Sequence, residues 1–441
     1  MTKILIHTTI KNKKIRKKKL FIDLQLEILL SFIWKINEGG FIYGKKITKN
    51  SFLDLSILIP YLILSAVGLL MVFSATVPYQ INRGLSPYRL AISQGVFIII
   101  SFVALIIIYR VKLRIIKNEK ILKIIFLIII LLMIYSRVGP NTSANGAHGW
   151  IPLPGIGTIQ PVEFAKLFTV WFLASIFSNR QEEIEKNDIQ AIFKGNNLIK
   201  KVVGGWRFPI ILLMIVELSM PNLGNTAIIG LLALIMIGAS GISWRWFSGY
   251  GKMLLTISLS FLLFLFISGG DLIPGSYINA RFKAFVNPFT DLASSGHQLA
   301  NSYYAIVDGG WFGRGLGNSI EKQGFLPEAH TDFIFSVIVE ELGIIGGIII
   351  LAVIFFMITR MLLVGMRAKD PFNSMISIGC SSFLLIQVFV NLGGAIGLVP
   401  ETGVTFPFLS QGGSSFLIST LAVGLVLNSS ADEKLKSLSK L

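Results

Sequence analysis

Ten apolar stretches divide the chain, at about residues 54–75, 90–109, 121–135, 161–177, 208–220, 224–241, 251–268, 333–359, 373–396 and 413–428. Most approach the ~20 residues that an α-helix needs to cross the hydrocarbon core of a bilayer. Backbone polar groups in lipid are satisfied only in helices or closed barrels. The pattern therefore predicts an all-α polytopic membrane protein of about ten transmembrane helices, with a large external loop, 269–331, between spans 7 and 8. The 208–220 stretch is the weakest of the ten, being short and interrupted by Glu217. Charged residues make up only 14% of the sequence, against about 25% in a soluble domain, which excludes a soluble protein.

Orientation follows from lysine and arginine. With the N-terminus inside, 32 of the 40 basic residues fall in cytoplasmic segments. Seven (Arg83, Arg89, Arg137, Arg281, Lys283, Arg314 and Lys322) fall outside, and Lys166 lies within a span. The positive-inside rule then places both termini in the cytoplasm. Three regions follow: a basic cytoplasmic N-terminal tail (1–53), a ten-span membrane domain (54–428) and a cytoplasmic C-terminal tail (429–441). The net charge of +17 is concentrated in runs such as Lys11–Lys19, which suits the anionic inner leaflet rather than nucleic acid. Residues 20–34, interrupted by Asp23 and Glu27, read as an interfacial amphipathic helix. The basic region is followed by no small-residue cleavage pattern, so the first span is expected to serve as the insertion signal.

Several chemistries find no support. Cys380 is the only cysteine, and the four histidines show no zinc spacing. No internal repeat is obvious, which weakens an inverted-repeat transporter. What remains is a small set of charges in apolar surroundings. Asp332 stands where a polar segment meets a span, a costly position that marks a working group. Glu163 and Lys166, three apart after Pro161, share a helix face. They read either as a neutralising pair or as an anion contact with Glu163 orienting Lys166. Glu340 and Glu341 are adjacent and so about 100° apart around a helix, which predicts that only one points inward.

In the external segment, Arg281 and Lys283 alternate with Phe282 and Phe285. That pattern fits an interfacial helix or phosphate capture. Near the C-terminus the run from Asn391 to Ser415 is dense in glycine and proline. It reads as irregular backbone lining a polar cavity, or as close packing through small residues.

These motifs resemble the SEDS family (shape, elongation, division and sporulation) over about residues 54–428. The resemblance rests on Leu326–Glu341, Pro400–Ser415, Asn287-Pro288, Gly296-His297-Gln298-Leu299 and Gly315-Leu316-Gly317-Asn318-Ser319. Glu328-Ala329-His330-Thr331-Asp332 looks more like the division branch than the elongation branch. The chain departs from the family in Asn145–Trp150, where many relatives carry a basic residue just before the tryptophan and this chain has Gly149, at Glu401-Thr402 and at Gln411.

The resemblance implies a peptidoglycan glycosyltransferase that polymerises lipid II, the undecaprenyl-pyrophosphate-linked disaccharide pentapeptide, outside the cytoplasmic membrane. It also implies work at the division septum beside a class B penicillin-binding protein and other divisome proteins. Asp332 matches the family's essential aspartate and is the expected general base. The expected substrate contacts are Lys166, Glu163, Arg281, Lys283, His330, Thr331, Ser410, Gln411 and Ser414. A divalent cation (Mg or Mn) is compatible with this chemistry, though no ligand cluster announces one. The competing readings are a lipid II flippase, an elongation-type polymerase and a non-enzymatic divisome scaffold.

Overall fold

Several connections carry the residues that start the next helix. In the computed structural model, Asp54 accepts from the Ser56 amide at 3.2 Å to open α1 (Leu55–Asn82). Asn118 caps the start of α3 (Glu119–Val138) by accepting from Lys120 N at 2.9 Å, after α2 (Arg89–Arg110). Pro161 stands in the first turn of α4 (Pro161–Ser178), where its missing N–H costs nothing. Helices α5 (Arg207–Leu218), α6 (Leu223–Ala239) and α7 (Trp244–Ile267) follow. The external segment folds into α8 (Tyr277–Val286) and α9 (His297–Gly309). The chain ends with α10 (Ile334–Arg367), α11 (Pro371–Ala395), capped by Asp370, and α12 (Gly413–Leu438).

The structure describes residues 52–139, 143–144, 147–153, 157–193, 204–220, 222–269, 277–292 and 296–438. The basic run 11–19 and the amphipathic segment 20–34 lie outside them. Asp54–Glu433 forms one compact unit. Two short antiparallel hairpins decorate the α3–α4 connection. They are β1 (Ser143–Ala144) with β2 (Ala147–His148), and β3 (Ile151–Leu153) with β4 (Gly157–Ile159).

All ten predicted spans are helices. Eight of them are long and apolar enough to cross a membrane. Helix α6 is shorter, and α5 at 12 residues covers only about 18 Å. Both ends of α5 are nevertheless tied down. Arg207 Nη1 donates to Ile192 O at 3.0 Å, and Ser219 O accepts from Arg137 Nε at 2.9 Å.

Contacts between connections agree with the alternation of ten crossings. Lys117 in the α2–α3 connection pairs with Asp370 in the α10–α11 connection at 3.1 Å. Asp188 before α5 accepts from Ser243 N before α7 at 2.9 Å. Arg137, at the opposite end of α3 from Lys117, reaches the α5–α6 connection instead. Each contact joins two connections that the alternation puts on one side.

Helices α4, α11 and α12 are the most buried spans, whereas α7 is apolar all round and almost wholly exposed, as a lipid-facing helix is. It meets α8 through Phe261–Phe282 and Phe266–Phe285 ring contacts at 5.8 and 5.9 Å.

Helix α10 is broken. Gly343 has φ 76° and ψ 172°, and the backbone beyond α9 fills the break. Arg314 N and Gly315 N donate to Glu340 O and Glu341 O at 2.9 and 3.0 Å, and Ile344 N donates to Gly310 O at 2.9 Å. Irregular backbone is tolerated at such a place because protein partners satisfy it.

The expectation that only one of Glu340 and Glu341 faces inward is corrected here, since both are buried, at 0% and 1% exposure. Segment 309–323 wraps the start of α10, so two directions 100° apart both meet protein. Glu340 accepts from Ser319 Oγ and Ile320 N, each at 2.5 Å. Glu341 pairs with Lys322 Nζ at 2.5 Å and accepts from Ser74 Oγ of α1 at 2.7 Å.

Candidate functional site

Asp332 sits on a turn closed by its own neighbours. Thr331 N and Phe333 N return to Glu328 O at 3.1 and 3.3 Å. Glu328 itself adopts φ 54°, outside the range most L-residues use. Thr331 Oγ1 donates to Glu328 Oε2 at 2.8 Å. The His330 ring packs on Tyr79 of α1, with centroids 4.8 Å apart.

The loop between α11 and α12 builds the second wall. Asn391 Nδ2 donates to both Asp332 O (2.9 Å) and Val404 O (2.7 Å), tying the turn to the loop. Ser410 Oγ donates to Thr331 O at 2.6 Å and accepts from Phe406 N at 2.8 Å. Gln411 N donates to His330 O at 2.8 Å. Phe335 and Phe406 stack with centroids 5.7 Å apart beneath these bonds. The glycine- and proline-rich run thus lines a narrow cleft with Asp332, Asn391, Glu401, Thr402 and Gly403 along it. Asn391 lies ~30 Å along α11 from Pro371, one membrane core from the Lys117–Asp370 side.

The third wall comes from α8 and α9. Arg281 Nη1 donates to Glu401 O at 3.1 Å, and its Nη2 lies 3.9 Å from Glu401 Oε1. The Gln298 amide, with its nitrogen turned to the carboxylate, donates to both Glu401 oxygens at 3.2 and 2.8 Å. Gly403, at φ +69°, lies between the charges. A Cβ there would stand 3.7 Å from Asp332 Oδ2 and 3.7 Å from Arg281 Nη2, so those two atoms are within 7.4 Å of each other.

Asp332 keeps an open edge onto the cleft, but protein packs densely around it. Burial, reinforced by the negative charges of Glu401 and Glu328 and opposed by Arg281, pushes its carboxyl up to about 8. Burial also raises Glu401, with Arg281 pulling the other way. The same desolvation lowers His330, a shift that Glu328 opposes. A carboxyl poised near neutral or mildly alkaline pH is suited to take a proton. Among the described residues no three His, Cys, Asp or Glu side chains come together as a metal site. Asp332, Glu328 and Glu401 therefore do not offer a ready cage for Mg or Mn.

The structure sorts the predicted residues into distinct places. Asp332, Arg281, His330, Thr331, Ser410 and Gln411 gather at the cleft, the last four through bonds that dock the turn on the loop. Ser414 Oγ accepts from Gln160 N at 3.1 Å, joining the starts of α12 and α4. Lys283 is exposed two residues beyond Arg281, on the other side of α8.

Lys166 and Glu163 do pair, at 2.7 Å, but in a closed cluster with Asn225 (3.2 Å to Lys166 Nζ) and Gln387 (3.3 Å to Glu163 Oε2). Gln387 is one turn of α11 away from Asn391, so this cluster lies a layer below Asp332. Lys166 is 0% exposed and engaged on two sides. Sequence reasoning missed Glu401 as a member of the centre, although it is the one charge in the run 391–415.

The chain matches the FtsW/RodA/SpoVE cell cycle protein family over residues 54–435, and it belongs to that family. It is 63% identical over 404 residues to the probable peptidoglycan glycosyltransferase FtsW of Lactococcus lactis subsp. lactis, covering 90% of this chain and 96% of that one. To the Bacillus subtilis protein of the same description it is 35% identical, with 87% and 91% covered. Among solved structures, it shares its fold with a chain of a peptidoglycan synthase complex (TM-score 0.63, 22% identity, 86% and 98% covered). The rod shape determining protein RodA of Thermus thermophilus is similar at TM-score 0.58 and 20% identity, with 86% and 97% covered.

Proposed function

We propose that Asp332 is the general base of a lipid II polymerase, acting from the cleft between the α10 turn and the α11–α12 loop. The chain is a peptidoglycan glycosyltransferase of the cell-division kind, and the observation that carries the residue-level reading is the placement of Asp332 and Arg281 on either side of Gly403. A carboxyl able to accept a proton and a guanidinium able to bind a diphosphate stand within 7.4 Å, about the span of a glycosyl phosphate. The reaction needs those two roles. As an acceptor sugar hydroxyl attacks the donor's anomeric carbon, Asp332 removes its proton. The new C–O bond forms while the anomeric carbon–phosphate oxygen bond breaks. Undecaprenyl diphosphate departs with the electron pair, its charge met by Arg281. A single displacement of this kind inverts the anomeric centre, whereas retention would require a nucleophilic carboxylate and a covalent intermediate.

In this reading Lys166 neutralises Glu163 and holds α4, α6 and α11 together under the site, while Arg281 takes the diphosphate. The termini are cytoplasmic and the cleft opens outward, in keeping with the distribution of basic residues. A class B penicillin-binding protein is the partner that would cross-link the product at the septum. The test is polymerisation of lipid II by the purified protein, with and without that partner. Glycan strands with an inverted linkage are expected. Lipid II translocation without polymerisation would replace this reading with the flippase.

A further inference from the structure

We propose that Glu401 is a positioning residue of this centre: it holds Arg281 and Gln298 beside Asp332 and is the resting counter-ion that the substrate's diphosphate displaces from Arg281. The proposal rests on the reading of Asp332 as base and Arg281 as diphosphate contact. Glu401 touches both external helices of the site, gripping Arg281 of α8 through its carbonyl and Gln298 of α9 through its carboxylate.

The two grips on Arg281 are unequal, and that inequality is what a displaceable counter-ion needs. The carbonyl contact at 3.1 Å is a full hydrogen bond, and it fixes the guanidinium. The carboxylate stands 3.9 Å from Nη2, well outside the ~2.7–2.9 Å of a charge-assisted bond. A diphosphate oxygen that reaches hydrogen-bond distance therefore outcompetes the carboxylate without dislodging the arginine. The side chains of Arg281 and Glu401 are 25% and 19% exposed, so the pair opens onto the cleft rather than lying sealed beneath it.

Among the described residues, three charged groups face Asp332. They are Glu401 from the α11–α12 loop, Glu328 from its own turn and Arg281 from α8. Asn391 of α11 and Gln298 of α9, also beside the cleft, are neutral. Glu401 raises the proton affinity of Asp332 and at the same time engages the cation that lowers it. Diphosphate binding to Arg281 would then be felt at the base through the same carboxylate.

The experiment measures polymerisation of lipid II against pH and lipid II concentration for the full-length protein with its penicillin-binding partner. Glu401→Gln keeps the backbone grip and the size of the side chain but removes its charge. The acid limb of the pH profile should move down by ~0.5–1 unit. The KM for lipid II should fall several-fold, because the Glu401 carboxylate no longer has to be displaced. Glu401→Asp keeps the charge, so the acid limb should stay where the unmodified protein has it while KM rises. Should Glu401→Gln not accumulate as folded protein, Glu401→Thr, uncharged and smaller, carries the same pH test.

An unmoved acid limb in the neutral variant would overturn the proposal. So would a loss of turnover shared equally by Gln and Asp at an unchanged pH midpoint, which is what a merely structural residue gives. If Asp332→Asn polymerises normally, the reading beneath the proposal has failed, whatever Glu401 does. If Asp332→Asn is inactive while Glu401→Gln leaves the limb in place, only the role of Glu401 is lost.

Discussion

Lys322→Met should destabilise the protein more than any change at an exposed lysine. Lys322 and Glu341 have side-chain exposures of 3% and 0%, and their ion pair at 2.5 Å is completed by Ser74. Methionine fills much the same volume but leaves the Glu341 carboxylate buried with a serine hydroxyl as its remaining hydrogen-bond donor. Breaking one side of a buried pair costs about 3–5 kcal/mol, because the stranded charge keeps its desolvation penalty. At ~2–4 °C per kcal/mol, the range for domains of a few hundred residues, the melting midpoint of the detergent-solubilised protein should drop by at least ~6 °C.

The double variant Lys322→Met with Glu341→Met removes both charges and should recover most of that loss, since apolar replacement of a buried pair is often near neutral. The assay is thermal unfolding followed by loss of the monodisperse peak in size-exclusion chromatography, for both single variants and the double. A Lys322→Met midpoint within 1–2 °C of the unmodified protein would refute the reasoning. Losses that simply add in the double variant would do so too, because contacting residues must show coupling.

Three further outcomes follow from the structure. Gly343→Ala would place a methyl carbon 2.3 Å from Trp311 O and 2.5 Å from Gly313 N at a φ of +76°. Folded yield from membranes should therefore collapse, while Gly95→Ala, with open space around it, should not lower it. With Asp332 raised to about 8 and active only when deprotonated, kcat/KM should climb as pH passes through about 8 and then level. Between the ordinary carboxylate range near 4 and about 8 the folded form holds a proton that the unfolded form has lost, so this group's contribution to stability falls as pH rises across that window.

The sequence exposed the spans because lipid imposes one local rule, a run of apolar residues long enough to cross it as a helix, and eight of the ten stretches obey it in full while those of α5 and α6 are shorter. Asp332 was legible for the same reason, as a charge where apolar residues dominate. Glu163 and Lys166 were legible as a pair because helical spacing is local. The inward turn of both Glu340 and Glu341 was not legible, because it depends on segment 309–323 wrapping back around α10 and on Lys322, which reads in sequence as one more external basic residue. Glu401 escaped for a similar reason. Its partners Arg281 and Gln298 lie more than 100 residues earlier, and only the folded cleft brings the three together. The structure encloses Lys166 in a cluster with Glu163, Asn225 and Gln387, a matter of burial that spacing does not reveal.

The central claim is that Asp332 takes the proton from the acceptor sugar. Asp332→Asn keeps size and shape but does not accept a proton at neutral pH, and Asn391 holds the main chain of residue 332 rather than its side chain. The fold should therefore survive the change. The deciding measurement is glycan polymerisation from lipid II by Asp332→Asn, assayed as folded protein together with the proposed class B penicillin-binding protein. The account predicts a fall of ~10²–10⁴-fold with unchanged yield and partner association. Near-normal polymerisation by that well-folded variant would contradict it.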